Sequence, residues 1–385
     1  MKILKQTESI LAAARKQDAL EIFRELPYPK EKEEDWRYTE IEELKPENFE
    51  PFESETKIEI TELSQELLKQ GVIFTDINTA LEKYPAALNY FSKSAKTGKD
   101  KFIALNASFF GNGYFLYVPK NLEIREPLRA VVHMEGRTNI IHNLVIAEQN
   151  SRLDFIEEYN GNEEEKLNVP VTEVFANTNS GVNFHHLSHF GKNTASIVNI
   201  IGSAERNALI NWISGCFGGK LNRLRIDTNF NGEGSRCSNL GIFLGKGKEH
   251  IDFTTNVYHN AENTTNDILV DGILRDESSS VYRGLIRIPK EGQKTNSYLA
   301  NHILKLGDKT LANSIPSLKI DANDVKASHG ATVGQVDEEH LFYVMSRGLS
   351  REEAQSLIIE GFFEPIIQKI PLEELRERIR KLIKQ

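Results

Sequence analysis

The chain has 385 residues, a net charge of −9 and an apolar fraction of 39%, which suits at least one substantial core and excludes disorder throughout. The acidic balance shows no basic stripe able to neutralise phosphates, which argues against a nucleic-acid partner. Only two cysteines occur, Cys216 and Cys237. They exclude a disulfide framework, and they cannot supply the four thiolates of an ordinary iron–sulfur or structural zinc site.

The opening run MKILKQTESILAAARKQ lacks the unbroken apolar core of a secretory signal, because Lys5, Gln6 and Glu8 interrupt it. No later stretch reaches membrane-spanning length. With the thiol count, this predicts a cytoplasmic protein and no membrane partner.

Residues 1–98 read as a mostly helical, strongly charged region. Ser9 to Phe23 sets Ile10, Leu11, Ala14, Leu20 and Phe23 in a rough helical stripe, which Pro27 and Pro29 end. The charged run EKEEDWRYTE follows. Ile73 to Phe91 predicts a second helical stretch broken at Pro85.

Residues 99–327 read as a β region. Tyr114–Val118, Leu144–Ile146, Leu153–Tyr159, Val182–Phe190, Ala195–Ile201, Ala208–Ile213 and Leu221–Phe230 are predicted strands. Asn239–Leu244, His250–Val257, Asp267–Leu274, Ser280–Ile288 and Ser297–Leu306 continue the series. No helical pattern separates them, which excludes βαβ units. Asn and Gly at the segment ends suit tight corners. A sandwich closes in fewer residues than this texture occupies, whereas stacked coils extend without limit, so the pattern predicts a parallel β-helix. No strict short repeat is visible.

Residues 328–385 return to helix. Glu338–Ser346 ends before Gly348, Ser350 and Glu353 form a capping-box pattern, and Pro371 opens a last helix. Its stripe of Leu372, Leu375, Ile379 and Leu382 predicts packing on the solenoid end or on a partner chain.

Several residues invite a chemical reading. In His185-His186-Leu187-Ser188-His189, alternation places His185 and His189 on one strand face and His186 on the other. Without a third ligand fixed by sequence, a polar ladder is the commoner explanation. Cys216 and Cys237 lie in no Cys-x-x-Cys or Cys–His context and read as buried thiols. Asp252, Asp267, Asp271 and Asp276 would be the carboxylates of a carbohydrate-active β-helix enzyme, but no export signal accompanies them. No P-loop, dinucleotide fingerprint or nucleophile elbow occurs.

The stretch Ser328 to Gly334 (SHGATVG) stands at the junction between the β texture and the last helices. His329, between the small residues Ser328 and Gly330, has an accessible imidazole. Such a group binds metal or moves protons, or else it hydrogen-bonds the backbone where the last coil closes.

Asp324-Val-Lys-Ala-Ser-His-Gly-Ala-Thr-Val-Gly334, with Leu341-Phe-Tyr and Ser346-Arg-Gly348 after it, resembles the C-terminal signature of the SufB/SufD family of iron–sulfur cluster assembly proteins. Gly284-Leu-Ile, Gln293-Lys-Thr295, Pro316-Ser-Leu-Lys-Ile320, Lys101-Phe-Ile-Ala-Leu-Asn-Ala107 with Gly113 and Val118-Pro119, and Glu34-Asp-Trp-Arg-Tyr-Thr39 fit the same pattern in the same order. The likeness spans residues 27 to 365 and is greater to the SufD branch. It implies a right-handed parallel β-helix between helical regions, and a non-catalytic scaffold subunit in a SufB–SufC–SufD type of complex. Its partners would be a SufB-like subunit or a second copy of itself, paired through the β-helix. A SufC-type ABC ATPase would dock on the C-terminal helices at Leu341, Phe342, Tyr343, Arg347 and Phe362, and would hydrolyse the ATP. The resemblance places His329, flanked by Ser328 and Gly330, at the subunit interface where a nascent cluster or iron is shared, and it implies flavin association with the complex. SufD sequences often carry Cys two residues before this His; here the position is Ala327. Two other readings stay open: a carbohydrate-active enzyme, and a structural paralogue without metal chemistry.

Overall fold

The computed structural model describes residues 16–41, 46–50, 52, 54 and 56–384. Its centre is a parallel β-helix of two facing sheets, one nine-stranded and one eleven-stranded, between which the chain alternates. Each long strand therefore lies beside the strand one coil earlier. Gly181 pairs with Leu209, Leu209 with Arg236 and Arg236 with Thr265, always in parallel.

Side-chain alternation divides every strand between the bore and an outer face. In Gly181–Phe190, Val182 and Phe184 enter the bore core, while Leu187 joins an outer cluster. Both faces are covered, so Thr194–Ala204 is buried at every position, its polar Thr194, Ser196, Asn199 and Ser203 included. The bore is packed solid in its middle. The rings of Phe155, Phe184 and Trp212 follow one another at 5.4 and 5.6 Å. Gly272 is required where a Cβ would collide with the Phe243 ring on the neighbouring strand.

One corner of the solenoid is an asparagine ladder. Asn121, Asn150, Asn179 and Asn207 take left-handed φ values of 62°, 59°, 60° and 55°, a conformation asparagine tolerates better than other side chains. Their amides link successive coils, with Asn150 donating to Asn121 at 2.7 Å, Asn179 to Asn150 at 3.1 Å and Asn207 to Asn179 at 3.2 Å.

The predicted strands Tyr114–Val118 and Leu221–Phe230 form with the same ends. Leu128–Met134, Val171–Ala176 and Leu311–Ile320 are further strands that the sequence reading left out. Leu311–Ile320 contains Pro316 and lies at the edge of its sheet, where a missing N–H is tolerated. The stretch read as helical from Ile73 begins instead with a strand, Ile73–Asp76, paired antiparallel to Tyr114–Val118. Helices Ile77–Lys83 and Pro85–Tyr90 follow, and Pro85 opens the second at its first position rather than breaking one helix.

Two apolar layers clothe the solenoid. The N-terminal region packs Trp36, Ile77, Phe91, Phe102 and Phe110 on Leu144, Ile146, Leu167 and Ile197 of the eleven-stranded sheet. It includes a helix over residues 16–25; Ile10, Leu11 and Ala14 of the predicted stripe lie outside the described residues. The C-terminal helices are Glu338–Met345, Arg351–Ile367 and Glu373–Lys384, of which the last two pack on the nine-stranded sheet. The middle one starts with the Ser350–Glu353 capping box. Leu375, Ile379 and Leu382 are buried with Leu187, Ile213, Ile242 and Ile273. The last stripe thus covers the side of the solenoid, not its end. Each such side chain contributes about 1.5–3 kcal/mol on burial.

The two ends of the solenoid differ. At the first coils, Thr56–Ile60 pairs antiparallel with Leu128–Met134 as Ile73–Asp76 does with its neighbour, so the N-terminal region adds one antiparallel edge strand to each sheet. At the other end Leu311–Ile320 and Val325–Gln335 are the outermost strands of their sheets.

Candidate functional site

The SHGATVG stretch, expected at a junction, is part of a strand. Val325–Gln335 runs parallel to Thr295–Lys305, so the β region continues past 327 and the first C-terminal helix begins only at Glu338. The apparent junction is explained by composition, since Gly330 and Gly334 interrupt the apolar pattern of a strand that no further coil covers.

His329 pairs in register with Leu299, Leu299 with Ile268, and Ile268 with Asn239 and through it Trp212. Leu299, Ile268 and Trp212 belong to the bore core. His329 therefore continues the inward-facing column of the solenoid, and it is exposed because it stands on the last layer. Ser328 is also exposed and faces the opposite way, as does Gly330, which lies beside Tyr298. Around this open end Leu311 is 67% and Val333 43% exposed, with Leu318, Ile320 and Tyr298 also accessible. An apolar, unpaired pair of sheet edges of this kind is a template for another chain. Among the described residues no group of three or more His, Cys, Asp or Glu is arranged to hold a metal ion. His329 can be one ligand; the rest of a metal's shell would have to come from elsewhere.

The other candidates have internal partners. His186 points into the bore, as alternation requires, and its Nδ1 lies 2.7 Å from Glu157 Oε2. Glu157 Oε1 accepts hydrogen bonds from Tyr114 at 2.7 Å and Thr172 at 2.9 Å. His185 is buried on the outer face, with Nε2 4.0 Å from Asp154 Oδ1, and His189 on that face is half-buried. The three do not converge.

Cys216 and Cys237 are both free and buried in the bore core. Burial pushes each thiol up to about 12, so neither is a thiolate near neutrality. The aspartates of the carbohydrate reading are scattered. Asp252 is buried on the eleven-stranded sheet between the guanidiniums of Arg223 and Arg283, the latter at 2.6 Å. Asp271 accepts from His302 at 2.8 Å on the other sheet, close to neither Asp252 nor the turn residue Asp276.

On the first C-terminal helix, Phe342 is 72% and Tyr343 58% exposed, and Arg347 lies against the Tyr343 ring. Leu341 is fully buried, and Phe362 is partly buried against the outer cluster. Of the five residues expected at an ATPase contact, Leu341 can only support the surface that the others offer. Along a helix the side pointing inward is set by packing, which is why Leu341 and Phe342 separate.

Sequence reasoning missed the anchor of the N-terminal strap. Trp36 lies 3.8 Å over the Arg223 guanidinium, and Arg283 donates to the Arg37 carbonyl. The charged run EKEEDWRYTE carried the signal, but its partners lie nearly two hundred or more residues away in the chain.

These features define a class: a two-sheet parallel β-helix whose edge strands are mostly half-buried at one end and expose apolar side chains at the other, with helical layers on both faces and only two cysteines, both buried. Residues 131–362 match the SufBD core domain of the SUF system for FeS cluster assembly, and residues 55–130 match the SufBD protein N-terminal region. The iron–sulfur cluster assembly protein SufD of Bacillus subtilis is 33% identical across 84% of this chain and 76% of its own length. SufBD family proteins of Staphylococcus saprophyticus and Staphylococcus epidermidis are 30% and 29% identical, each across 86% of this chain and 72% of their own. The chain belongs to the SufBD family of iron–sulfur cluster assembly proteins and is SufD-like.

Proposed function

We propose that this chain is a scaffold subunit, non-catalytic in cluster assembly, which pairs through the exposed last layer of its β-helix with a SufB-like subunit or a second copy of itself. The observation that carries this reading is the asymmetry of the solenoid. Thr56–Ile60 and Ile73–Asp76, the outermost strands at the first end, are mostly half-buried and pack Ile58, Ile60 and Phe74 on the core, while Leu311–Ile320 and Val325–Gln335, outermost at the other end, leave Leu311, Leu318, Ile320 and Val333 exposed. His329 stands in that open layer as an acceptor-competent imidazole, and a nascent cluster or iron held there takes its remaining ligands from the partner. Ala327 withholds a thiolate two residues away.

Phe342, Tyr343 and Arg347 form the docking surface for a SufC-type ABC ATPase, where aromatic and arginine side chains make effective anchors. ATP hydrolysis belongs to that partner. No described helix is long and apolar enough to cross a membrane, in keeping with work in the cytoplasm.

The test is co-expression of the chain with its SufB-like and SufC-type partners, followed by iron and sulfide analysis of the purified complex. The expected result is a cluster on the complex, little iron on the isolated chain, and a marked loss of cluster with His329→Ala while the complex stays assembled. Unchanged iron and sulfide in that variant would remove His329 from the role. Phe342→Ala with Tyr343→Ala is expected to release the ATPase and leave β-helix pairing intact.

A further inference from the structure

The N-terminal strap completes a hydrogen-bond chain on the outer face of the eleven-stranded sheet. Ser279 Oγ lies 2.7 Å from His250 Nδ1, His250 Nε2 lies 3.2 Å from Thr39 Oγ1, and Thr39 Oγ1 donates to Asp252 Oδ2 at 2.7 Å. The direction follows from what each group has to give. Asp252 is an ionised acceptor: burial works against its charge, but Arg223 and Arg283 hold its carboxyl below the usual range. The one Thr39 proton goes to that carboxylate, so Thr39 can only accept from His250. This fixes the imidazole proton on Nε2 and the lone pair on Nδ1. Ser279 in turn donates its hydroxyl proton to Nδ1.

Nucleophile, base, relaying hydroxyl and carboxylate thus stand in order, polarised in one direction. Burial, reinforced by Arg283 and Arg223 and opposed by Asp252, lowers the His250 pKa below its ordinary value. The imidazole is therefore an unprotonated base at neutral pH. The chain ends in a cavity of ≈430 Å³ lined by Ser279, His250, Lys220, Lys248, Tyr38 and Asn313. The His250 amide donates to the Lys220 carbonyl, which sets Lys220 on the sheet side of the cavity with the Ser279–His250 pair, and Lys248 lines the same cavity with its Nζ 3.9 Å from Glu277 Oε2. Glu31 and Glu40 belong to the strap side.

We propose that Ser279 is a nucleophile activated by His250, and that the cavity takes a small ester or thioester with an anionic acyl group directed to Lys220 and Lys248. Ser279 Oγ adds to the acyl carbonyl as its proton passes to His250 Nδ1. The resulting imidazolium is stabilised through Thr39 by Asp252. The alkoxide or thiolate then leaves with the bonding pair and takes the proton from His250. Water repeats the sequence, releasing the carboxylic acid and restoring the serine hydroxyl. Thr39 and Asp252 are positioning residues. The activity is independent of the scaffold role.

The full-length chain is treated with a fluorophosphonate, which joins Ser Oγ to phosphorus and expels fluoride, and the labelled peptide is mapped. Label is expected on Ser279 and is expected to vanish in Ser279→Ala, a small substitution at a half-buried position. His250→Ala, or His250→Gln should the first misfold, is expected to slow labelling about 10²–10⁴-fold. Labelling should hold level near neutrality and fall as pH drops through the lowered His250 pKa. The charged groups around that ring are Asp252, Arg223, Arg283, Lys220, Lys248, Glu31 and Glu40. Thr39→Val is expected to move the midpoint of that fall, which a purely structural threonine would not do. A 4-nitrophenyl succinate should turn over faster than 4-nitrophenyl acetate. No label on Ser279, or equal labelling rates with and without His250, would overturn the nucleophile; equal turnover of the two esters would overturn the anionic preference.

Discussion

His259 is a buried imidazole whose two nitrogens are occupied by neutral partners, Thr264 Oγ1 and Asn266 Oδ1, each at 2.7 Å, with the Phe230 ring 4.8 Å away. Burial lowers its pKa to about 4 against the opposing Asn266 hydrogen bond. Unfolded, the same side chain titrates near 6.5. Below that pH the unfolded chain binds a proton that the folded chain refuses. Stability is then complete above about pH 6.5 and declines as pH falls toward 4, by about 3 kcal/mol in all. Urea titrations at pH 7.5 and 4 should show this loss, and His259→Gln should flatten it. Glu157 is the corresponding buried acid. Removing it as Glu157→Val leaves Tyr114, Thr172 and His186 without their acceptor, at about 1–3 kcal/mol for each unpaired group. A fall in the unfolding midpoint well beyond that of an ordinary core substitution is expected. Neither residue was legible as special beforehand. Their burial depends on which strand face meets the bore, and their partners are set by coil register rather than by sequence neighbours. His329 was legible, because its sequence surroundings alone marked it. Its accessibility, however, comes from standing on the last coil and not from a flexible junction.

Among the elements, the corners were the most readable parts of the solenoid. Asn at a segment end announces a left-handed turn from local chemistry, and Asn121, Asn150, Asn179 and Asn207 all take one. Asn179→Ala puts an ordinary side chain at φ 60° and breaks the ladder on both sides. The strain alone costs about 1–2 kcal/mol. Asn179→Gly keeps the backbone freedom and loses only the ladder, so it should destabilise less. Equal, substantial losses of thermal stability in the two variants would show that the side-chain ladder, not the backbone angle, holds the corner. Strands were legible where both faces are covered and the segment is bounded by turn residues, as in Leu221–Phe230. Leu128–Met134 escaped because Arg129 and His133 break its apolar run, although they fall on the half-buried face of a regular alternation. Ile73–Asp76 escaped because a four-residue strand leading directly into a helix carries too little periodicity to separate the two.

On the scale of the whole molecule, the feature that matters is the unequal treatment of the two solenoid ends. Coils bury one another, so every solenoid faces the same difficulty at its last layer, where half the contacts are missing. This chain spends its N-terminal region on the first end and on one sheet face, and its C-terminal helices on the other face. Among the described residues, neither pairs with the outer edges of the last layer. Leucine, isoleucine and valine exposed on two parallel edges would otherwise invite indiscriminate association, which edge strands normally resist with charge or irregularity. Keeping them apolar fits the proposed pairing with one specific partner. Val333→Arg and Leu318→Arg place charge in that layer at positions already exposed. They are expected to leave the unfolding temperature of the isolated chain within a few degrees of wild type. In sedimentation of the co-expressed complex, they should abolish pairing between β-helices while the ATPase stays bound through Phe342 and Tyr343. If the charged variants still paired, the interface would have to lie on a covered sheet face, and the C-terminal helices would then have to move aside to admit it.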